Sequence, residues 1–225
     1  MQQKKVFSII TLFVSVVFFA QASLPEGFSY AKDYIQDLEI DLRYATKNNF
    51  VGQKIEGYRA KKAILSTKML QALYAAQKEF GRMGLGLKLF DGYRPQRAVN
   101  HFMRWAKHPA DTLKKAQFYP NISKSDLFKK HYISTRSGHS RGSSVDLTLI
   151  DFNSCKELDM GSPYDFFGAI SNLDYQDLNQ KQHANRKLLQ RVMIKHGFRA
   201  YSKEWWHFTL NNEPFPNTYF DFIIE

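Results

Sequence analysis

Apolar residues recur along this chain at two intervals, and each interval predicts a different element. After a capping residue at Ser66 or Thr67, helical spacing connects four apolar residues: Met69, Leu73, Ala76 and Phe80. Alternation of polar and apolar residues instead predicts strands, in which neighbouring side chains point to opposite faces. In the clearest example, one face takes every second residue: Val145, Leu147 and Leu149. Asp146 and Thr148 lie on the other face of that predicted strand.

The whole pattern predicts a mixture of helices and strands without regular alternation. Helices are expected at residues 66–80, 96–107 and 185–195, and strands at residues 39–44, 85–90, 145–150 and 205–210. The intervening segments are expected to be extended or irregular, with one or two short helices within residues 111–132. We therefore predict an α+β domain with a central antiparallel sheet flanked by helices, and not a doubly wound fold.

The first 22 residues have the pattern of a secretory signal peptide. Lys4 and Lys5 precede an apolar run of 15 residues, and Ala20-Gln21-Ala22 has the small residues of a cleavage site. The run is shorter than the roughly 20 residues that span a membrane. The residue directly after the cleavage site is Ser23 and not a cysteine, so no lipid anchor is expected. We predict a signal peptide over residues 1–22, one domain over residues 23–225, and a periplasmic location without a stable membrane anchor after cleavage.

Charge and cysteine content narrow the class of protein. The formal net charge of +11 falls by two when Lys4 and Lys5 are removed, and the chain remains basic. A basic surface attracts nucleic acid, anionic lipid or anionic cell-wall polymer. The basic residues are scattered and no nucleic-acid motif is present, so we expect no nucleic-acid partner, while proximity to peptidoglycan stays open. Cys155 is the only cysteine and lies in a polar stretch, which excludes an intramolecular disulfide and disfavours a catalytic thiol.

Two segments distant in sequence contain a set of residues suited to a catalytic zinc. They offer two imidazoles and two carboxylates: His139, Asp146, Glu204 and His207. A catalytic zinc takes three protein ligands and keeps a fourth position for water. The remaining carboxylate would then act as a base. Each residue also has a simpler interpretation: Asp146 in a salt bridge with Arg141 or another arginine, His207 as a core histidine, and Glu204 as an exposed glutamate.

The spacing of Glu204 and His207 is awkward for a shared site. The surrounding aromatic residues favour a strand, and residues three apart on a regular strand point to opposite faces. Both side chains can reach one metal only at a β-bulge or a strand end. Arg94, which follows a predicted turn, is a candidate partner for a substrate carboxylate or an oxyanion.

Taken together, these residues resemble the zinc D-alanyl-D-alanine dipeptidases of vancomycin-resistance operons, within the wider hedgehog/D,D-peptidase-like fold. Four segments carry the resemblance: Asp91-Gly92-Tyr93-Arg94-Pro95, Ser137-x-His139-Ser140-Arg141-Gly142-Ser143-x-x-Asp146, Met160-Gly161-Ser162-x-x-Asp165-Phe166 and Glu204-Trp205-Trp206-His207-Phe208. The second and fourth segments are shared by the wider superfamily. The third is similar to the dipeptidase branch.

The resemblance implies a function and a role for each candidate residue. It implies hydrolysis of a small D,D-dipeptide, D-alanyl-D-alanine, to two D-alanines with one Zn²⁺ per chain. The implied zinc ligands are His139, Asp146 and His207. Glu204 is implied as the general base and Arg94 as the electrostatic stabiliser, while the substrate ammonium is assigned to the pair Ser137 and Asp165.

Other functions stay open at the level of sequence. Because the resistance-type enzymes act in the cytoplasm, predicted export favours a periplasmic D,D- or L,D-carboxypeptidase that trims peptidoglycan stem peptides. The segment around Asp165 favours the dipeptidase. A non-catalytic zinc-binding module and a cell-wall protein bound by charge are further alternatives, and intact Glu204 and Arg94 weigh against the module.

Overall fold

The computed structural model describes residues 23–130 and 132–225, and the predicted signal peptide at residues 1–22 lies outside them. The helices are α1 (Ala31–Tyr34), α2 (Thr67–Gly81), α3 (Gln96–Ala106), α4 (Lys115–Phe118), α5 (Lys124–Lys129) and α6 (Gln180–Lys195). The strands are β1 (Phe28–Tyr30), β2 (Glu39–Ile40), β3 (Ile64–Ser66), β4 (Leu85–Asp91), β5 (Ser144–Asp151), β6 (Phe198–Tyr201) and β7 (Glu204–Leu210). Short 3₁₀ helices lie at Arg43–Ala45, Gly138–Arg141 and Ala169–Ser171. Within the described ranges, no helix has both the length and the apolar composition of a membrane span.

The core of the molecule is a five-stranded sheet in the order β2-β4-β5-β7-β6, and β1 pairs with β3 in a separate two-stranded sheet. Every strand pair is antiparallel except β2 with β4, which is parallel. Helices α2 and α6 pack against each other. Helix α2 also contacts β4, and α6 contacts β6. The predicted α+β class and flanked antiparallel sheet are therefore confirmed, with one parallel edge strand as a correction.

The central strand β5 is covered on both faces. The residues from Ser144 to Ile150 are all buried, including Asp146 and Thr148 on the face expected to be polar. A buried aspartate requires a charged or hydrogen-bonded partner. Because β5 is a central strand and not an edge strand, Asp146 must find such a partner inside the protein.

Two predicted elements have different bounds in the structure. The strand expected at residues 39–44 pairs only at Glu39–Ile40, because Arg43–Ala45 turns into a 3₁₀ helix that buries Tyr44. The last helix begins at Gln180 and not at residue 185, because Asn179 and Gln182 form a reciprocal capping box. Strands β1, β3 and β6 were not predicted, since three or four residues are too few for a clear alternation.

One buried arginine holds the long irregular segment between β5 and α6. Arg186 of α6 donates from Nε to the carbonyl of Met160 at 2.6 Å, and from its terminal nitrogens to the carbonyls of Asn172 and Ile170 at 2.9 and 2.8 Å. These carbonyls come from a segment whose only regular element is the 3₁₀ helix at Ala169–Ser171. Side-chain bonds from α6 thus replace the backbone pairing that the segment lacks.

We expect Arg186→Ala to lower the free energy of unfolding by about 2–4 kcal/mol, since three carbonyls would lose their donors. Urea denaturation measures this as a lower midpoint at an unchanged slope. Arg191→Ala, on the exposed side of the same helix, is the matched control and should change stability by less than about 0.5 kcal/mol. Equal losses in the two variants would contradict the anchoring role of Arg186.

Candidate metal centre and active site

Neighbouring strands align three polar residues at one end of the sheet. In the strand register, Asp91 at the end of β4 is the partner of Asp146 on β5, and Asp146 is the partner of His207 on β7. His139 comes from the 3₁₀ helix that precedes β5. Ser137 caps this helix, since its Oγ accepts the backbone N–H of His139 at 3.3 Å.

The three predicted metal ligands converge on one point. His139 Nε2 lies 3.1 Å from His207 Nδ1 and 3.3 Å from Asp146 Oδ1, and His207 Nδ1 lies 3.0 Å from the same oxygen. Tetrahedral ligands bound at about 2.0–2.1 Å from zinc are themselves about 3.3 Å apart. The nitrogen and oxygen donors therefore have both the chemistry and the spacing of a three-ligand zinc site, which a small shift outward would complete.

Each imidazole is oriented by a bond from its other ring nitrogen. His139 Nδ1 donates to the carbonyl of Gly92 at 2.8 Å, which leaves the lone pair of Nε2 facing the other two donor atoms. His207 Nε2 lies 3.2 Å from the hydroxyl of Thr209. Outer bonds of this kind fix the tautomer and the ring orientation of metal-binding histidines.

Asp146 divides its two oxygens between the metal site and the protein. Oδ1 faces the two imidazoles, while Oδ2 accepts from Tyr164 at 3.1 Å and from Arg94 Nη2 at 3.3 Å. Burial alone would raise the pKa of this carboxyl, but the two neighbouring imidazoles hold the pKa below its ordinary value. The residue is thus an anion in the folded protein, as a metal ligand must be. The arginine expected as one alternative partner is Arg94, not Arg141.

An irregularity in β7 resolves the awkward spacing of Glu204 and His207. The partner of Ala200 on β6 is Phe208, but the partner of Tyr201 is Glu204, so one step along β6 corresponds to four along β7. The Oε2 atom of Glu204 consequently lies 3.8 Å from Nδ1 of His207. The bulge or strand end that the sequence required is therefore present.

Glu204 has the environment of a general base. Burial, followed by the negative charge of Asp146, raises the pKa of Glu204 to about 8. A raised pKa makes the carboxylate a stronger base, and a cation at the neighbouring ligand set would favour its ionised form. Its carboxylate lies beside the ligand atoms and faces the same cavity as they do.

Arg94 is fixed on several sides at the rim of the metal site. Its Nε donates to Asp91 at 2.8 Å, and its guanidinium lies over the rings of Tyr44 and Phe102 at 4.9 and 5.4 Å. Asp91 in turn accepts the hydroxyl of Tyr58 at 2.6 Å. Neither Asp91 nor Tyr44 was predicted as a site residue, although Asp91 stands in the same segment as Arg94 and could have been found by that proximity.

Asp165 occupies a strained and incompletely bonded position. Its φ of 62° lies in the left-handed region, which non-glycine residues seldom adopt outside sites that require it. Oδ1 accepts the hydroxyl of Tyr44 at 3.1 Å, while the buried Oδ2 has no hydrogen-bond partner among the described residues. Burial, and then the charge of Asp146, raises the pKa of Asp165 well above its ordinary value. A cationic donor at Oδ2 would favour the ionised form of this carboxyl.

One cavity of about 290 Å³ joins all of these groups. The seven predicted site residues all line it: Arg94, Ser137, His139, Asp146, Asp165, Glu204 and His207. Aromatic side chains that were not predicted from the sequence complete the lining: Tyr44, Phe50, Phe102, Tyr132, Phe167 and Tyr201. The walls come from segments far apart in sequence, so no local pattern marks them as a group.

Comparison with known proteins shows the family of this chain. A model of the Peptidase M15 family, described as D-ala-D-ala dipeptidase, matches residues 26–225. A D-alanyl-D-alanine dipeptidase of Streptomyces coelicolor is 42% identical, over 88% of this chain and 98% of its own length. Those of Enterococcus faecium and Enterococcus faecalis are 39% and 38% identical, over 88% and 89% of this chain and 98% and 100% of theirs. By the extent of these matches, the chain belongs to the D-ala-D-ala dipeptidase family of M15 peptidases.

Proposed function

We propose that this protein hydrolyses D-alanyl-D-alanine to two D-alanines at the cavity described above, as a zinc dipeptidase. Family membership supports the class of enzyme and the metal. The observation that supports the identity of the substrate is the buried Oδ2 of Asp165, which has no partner among the described residues and lies in the same small cavity as the metal-ligand set. Such an atom selects a substrate with a free ammonium near its scissile bond.

His139, Asp146 and His207 hold the zinc in this proposal, one ion per chain. A bound zinc lowers the pKa of water and polarises the scissile carbonyl. Glu204 takes the proton that water loses as its oxygen bonds to the carbonyl carbon, and delivers it to the amine as the C–N bond breaks. Arg94, held by Asp91, places positive charge where the carbonyl oxygen becomes negative.

Asp165 and Ser137 orient the dipeptide in this proposal. The ammonium of the substrate supplies the charge that keeps Asp165 ionised despite its burial. The Ser137 hydroxyl already accepts the N–H of His139 and retains its own proton and a second lone pair for a further bond. A blocked amino terminus would leave Asp165 unpaired and would cost the binding energy of that ion pair.

This requirement separates the dipeptidase from its nearest rival. A carboxypeptidase that trims stem peptides must accept a substrate whose D-alanyl-D-alanine carries an acylated amine, which Asp165 disfavours. A non-catalytic zinc module would not need Glu204 and Arg94 placed in the same cavity as the ligands. The geometry therefore favours turnover of the free dipeptide.

We also propose that the protein is exported and acts in the periplasm, near peptidoglycan. The support is the charged, apolar and small-residue pattern of residues 1–22 together with the basic charge of the remaining chain.

Glu204→Ala should retain zinc and lower kcat by about 10²–10⁴-fold, since the substitution removes only the proton acceptor. His139→Ala should lose both zinc and activity. Metal analysis of the purified variants and a D-alanine release assay check these results. Full activity in either variant would exclude the assigned roles.

Asp165→Asn should raise the KM for D-alanyl-D-alanine by about 10²-fold, since a charge-assisted bond to a buried group is worth about 3 kcal/mol. An N-acetylated dipeptide should be a poor substrate of the wild type, and the substitution should affect it much less. Kinetics on the two substrates provide the test. Equal losses on both would remove Asp165 from ammonium recognition.

Expression of the full chain in a bacterium with two membranes should yield a periplasmic protein that begins at Ser23. Cell fractionation and mass spectrometry of the amino terminus measure this. Recovery of an uncleaved chain from the cytoplasm would contradict the proposal of export.

A further inference from the structure

We propose that Glu213 is a positioning residue for the metal centre, which acts by bonding Arg141 and so fixing the distance between the segments that carry His139 and His207. The inference rests on the proposed function only in taking these histidines as metal ligands. Glu213 lies beyond the last strand, outside every segment that suggested the site from sequence.

The pair between Arg141 and Glu213 is bidentate and largely shielded from water. Arg141 donates from Nε to Oε2 at 2.6 Å and from Nη2 to Oε1 at 2.9 Å. The side chain of Glu213 is only 7% exposed and that of Arg141 15%. Paired bonds in this fork geometry restrict orientation as well as distance. The pair is thus a rigid connection and not a mobile surface contact.

Each partner follows one of the two histidines along the chain, Arg141 by two residues and Glu213 by six. Arg141 ends the 3₁₀ helix Gly138–Arg141 and lies two residues after His139. Glu213 lies three residues after Leu210, the end of the strand that carries His207. The ion pair therefore joins the short helix that carries His139 to the end of the strand that carries His207.

Glu213 is itself held to the sheet. Arg199 on β6 donates from Nη2 to Glu213 Oε1 at 2.7 Å and from Nη1 to the carbonyl of Leu210 at 2.8 Å. Because β6 pairs with β7, this second arginine fixes the carboxylate relative to the strand of His207. The carboxylate can then transmit the position of β7 to the 3₁₀ helix.

The rest of the carboxyl-terminal tail holds the same helix from a second side. The N–H of Phe220 donates to the carbonyl of Ser140 at 2.9 Å, and Arg141 Nη1 donates to the hydroxyl of Tyr219 at 3.3 Å. A helix of four residues has too few internal bonds to fix its own position. These contacts help to fix the position of the 3₁₀ helix, and the ion pair with Glu213 is the charged contact among them.

A metal site responds to small displacements, which makes this constraint measurable. Protein–zinc distances hold within about 0.2 Å of their ideal values, so a loosened His139 loses affinity before the fold is lost. Groups that orient metal ligands typically change metal affinity by about 10–100-fold when they are substituted. Removal of the Glu213 charge would also leave Arg141 and Arg199 close together without an anion between them.

The test compares Glu213→Gln with a matched control, Glu79→Gln. Glu79 also bridges two nitrogen-bearing side chains, at 2.8 Å from Lys195 Nζ and 2.8 Å from His196 Nε2, and its side chain is 17% exposed. It joins α2 to α6 and has no link to the 3₁₀ helix. The measurements are the zinc dissociation constant of the metal-free protein, by competition with a chelator, and the thermal midpoint of the same sample.

We expect Glu213→Gln to weaken zinc binding about tenfold or more in protein that remains folded, while Glu79→Gln changes the dissociation constant less than about twofold. Arg141→Lys, which keeps the charge but not the fork, should also weaken zinc binding. The double variant, Glu213→Gln with Arg141→Lys, should lose little more zinc affinity than either single variant, because both substitutions break the same ion pair.

Unchanged zinc affinity in folded Glu213→Gln, or an equal loss in Glu79→Gln, would overturn the inference. If Glu213→Gln does not fold, Arg141→Lys decides by the same measurement. A wild-type protein that binds no zinc would instead refute the proposed function, so the two failures are distinguishable.

Discussion

The burial of carboxylates side by side at one end of the sheet is the constraint on which the site depends. Asp91 and Asp146 are paired in the register of β4 and β5, and both are almost fully buried. Two such anions are tolerated only when cations and donors surround them. Arg94 bonds to both, and the imidazole of His139 lies close to both. The residues that position the chemistry therefore also compensate the buried charge.

The same electrostatic balance explains the two carboxylates that remain. Burial raises the pKa of Glu204 and of Asp165, with the anionic Asp146 as the second cause in each case. Each faces a cavity in which the proposed reaction supplies positive charge, a metal ion beside Glu204 and an ammonium beside Asp165. In the proposed reaction, one of these two cavity-lining carboxylates transfers a proton and the other recognises the substrate.

Strands place some of the groups of the site. Segments outside the strands, including the carboxyl-terminal tail, place the others. Strands β4, β5 and β7 set Asp91, Asp146 and His207 in one row, and rigid elements hold a site more accurately than loops do. His139 lies on a short 3₁₀ helix and Asp165 in an irregular segment, and an arginine ties each of them to the sheet or to a helix. Arg141 ties the first through Glu213, and Arg186 ties the second through backbone carbonyls.

The sequence by itself determined the elements with long patterns and the chemistry of the site. Spacing and residue type located α2, β4, α3, β5, β7 and most of α6. Four motifs contained all seven predicted site residues, because local spacing and residue type carry that information as well. The strand spacing even required the irregularity between Glu204 and His207. Tertiary structure alone decided the row across three strands, the unpartnered oxygen of Asp165 and the connection from Glu213 to Arg141. These depend on contacts between residues far apart in the chain, and no local pattern encodes which distant side chains will meet.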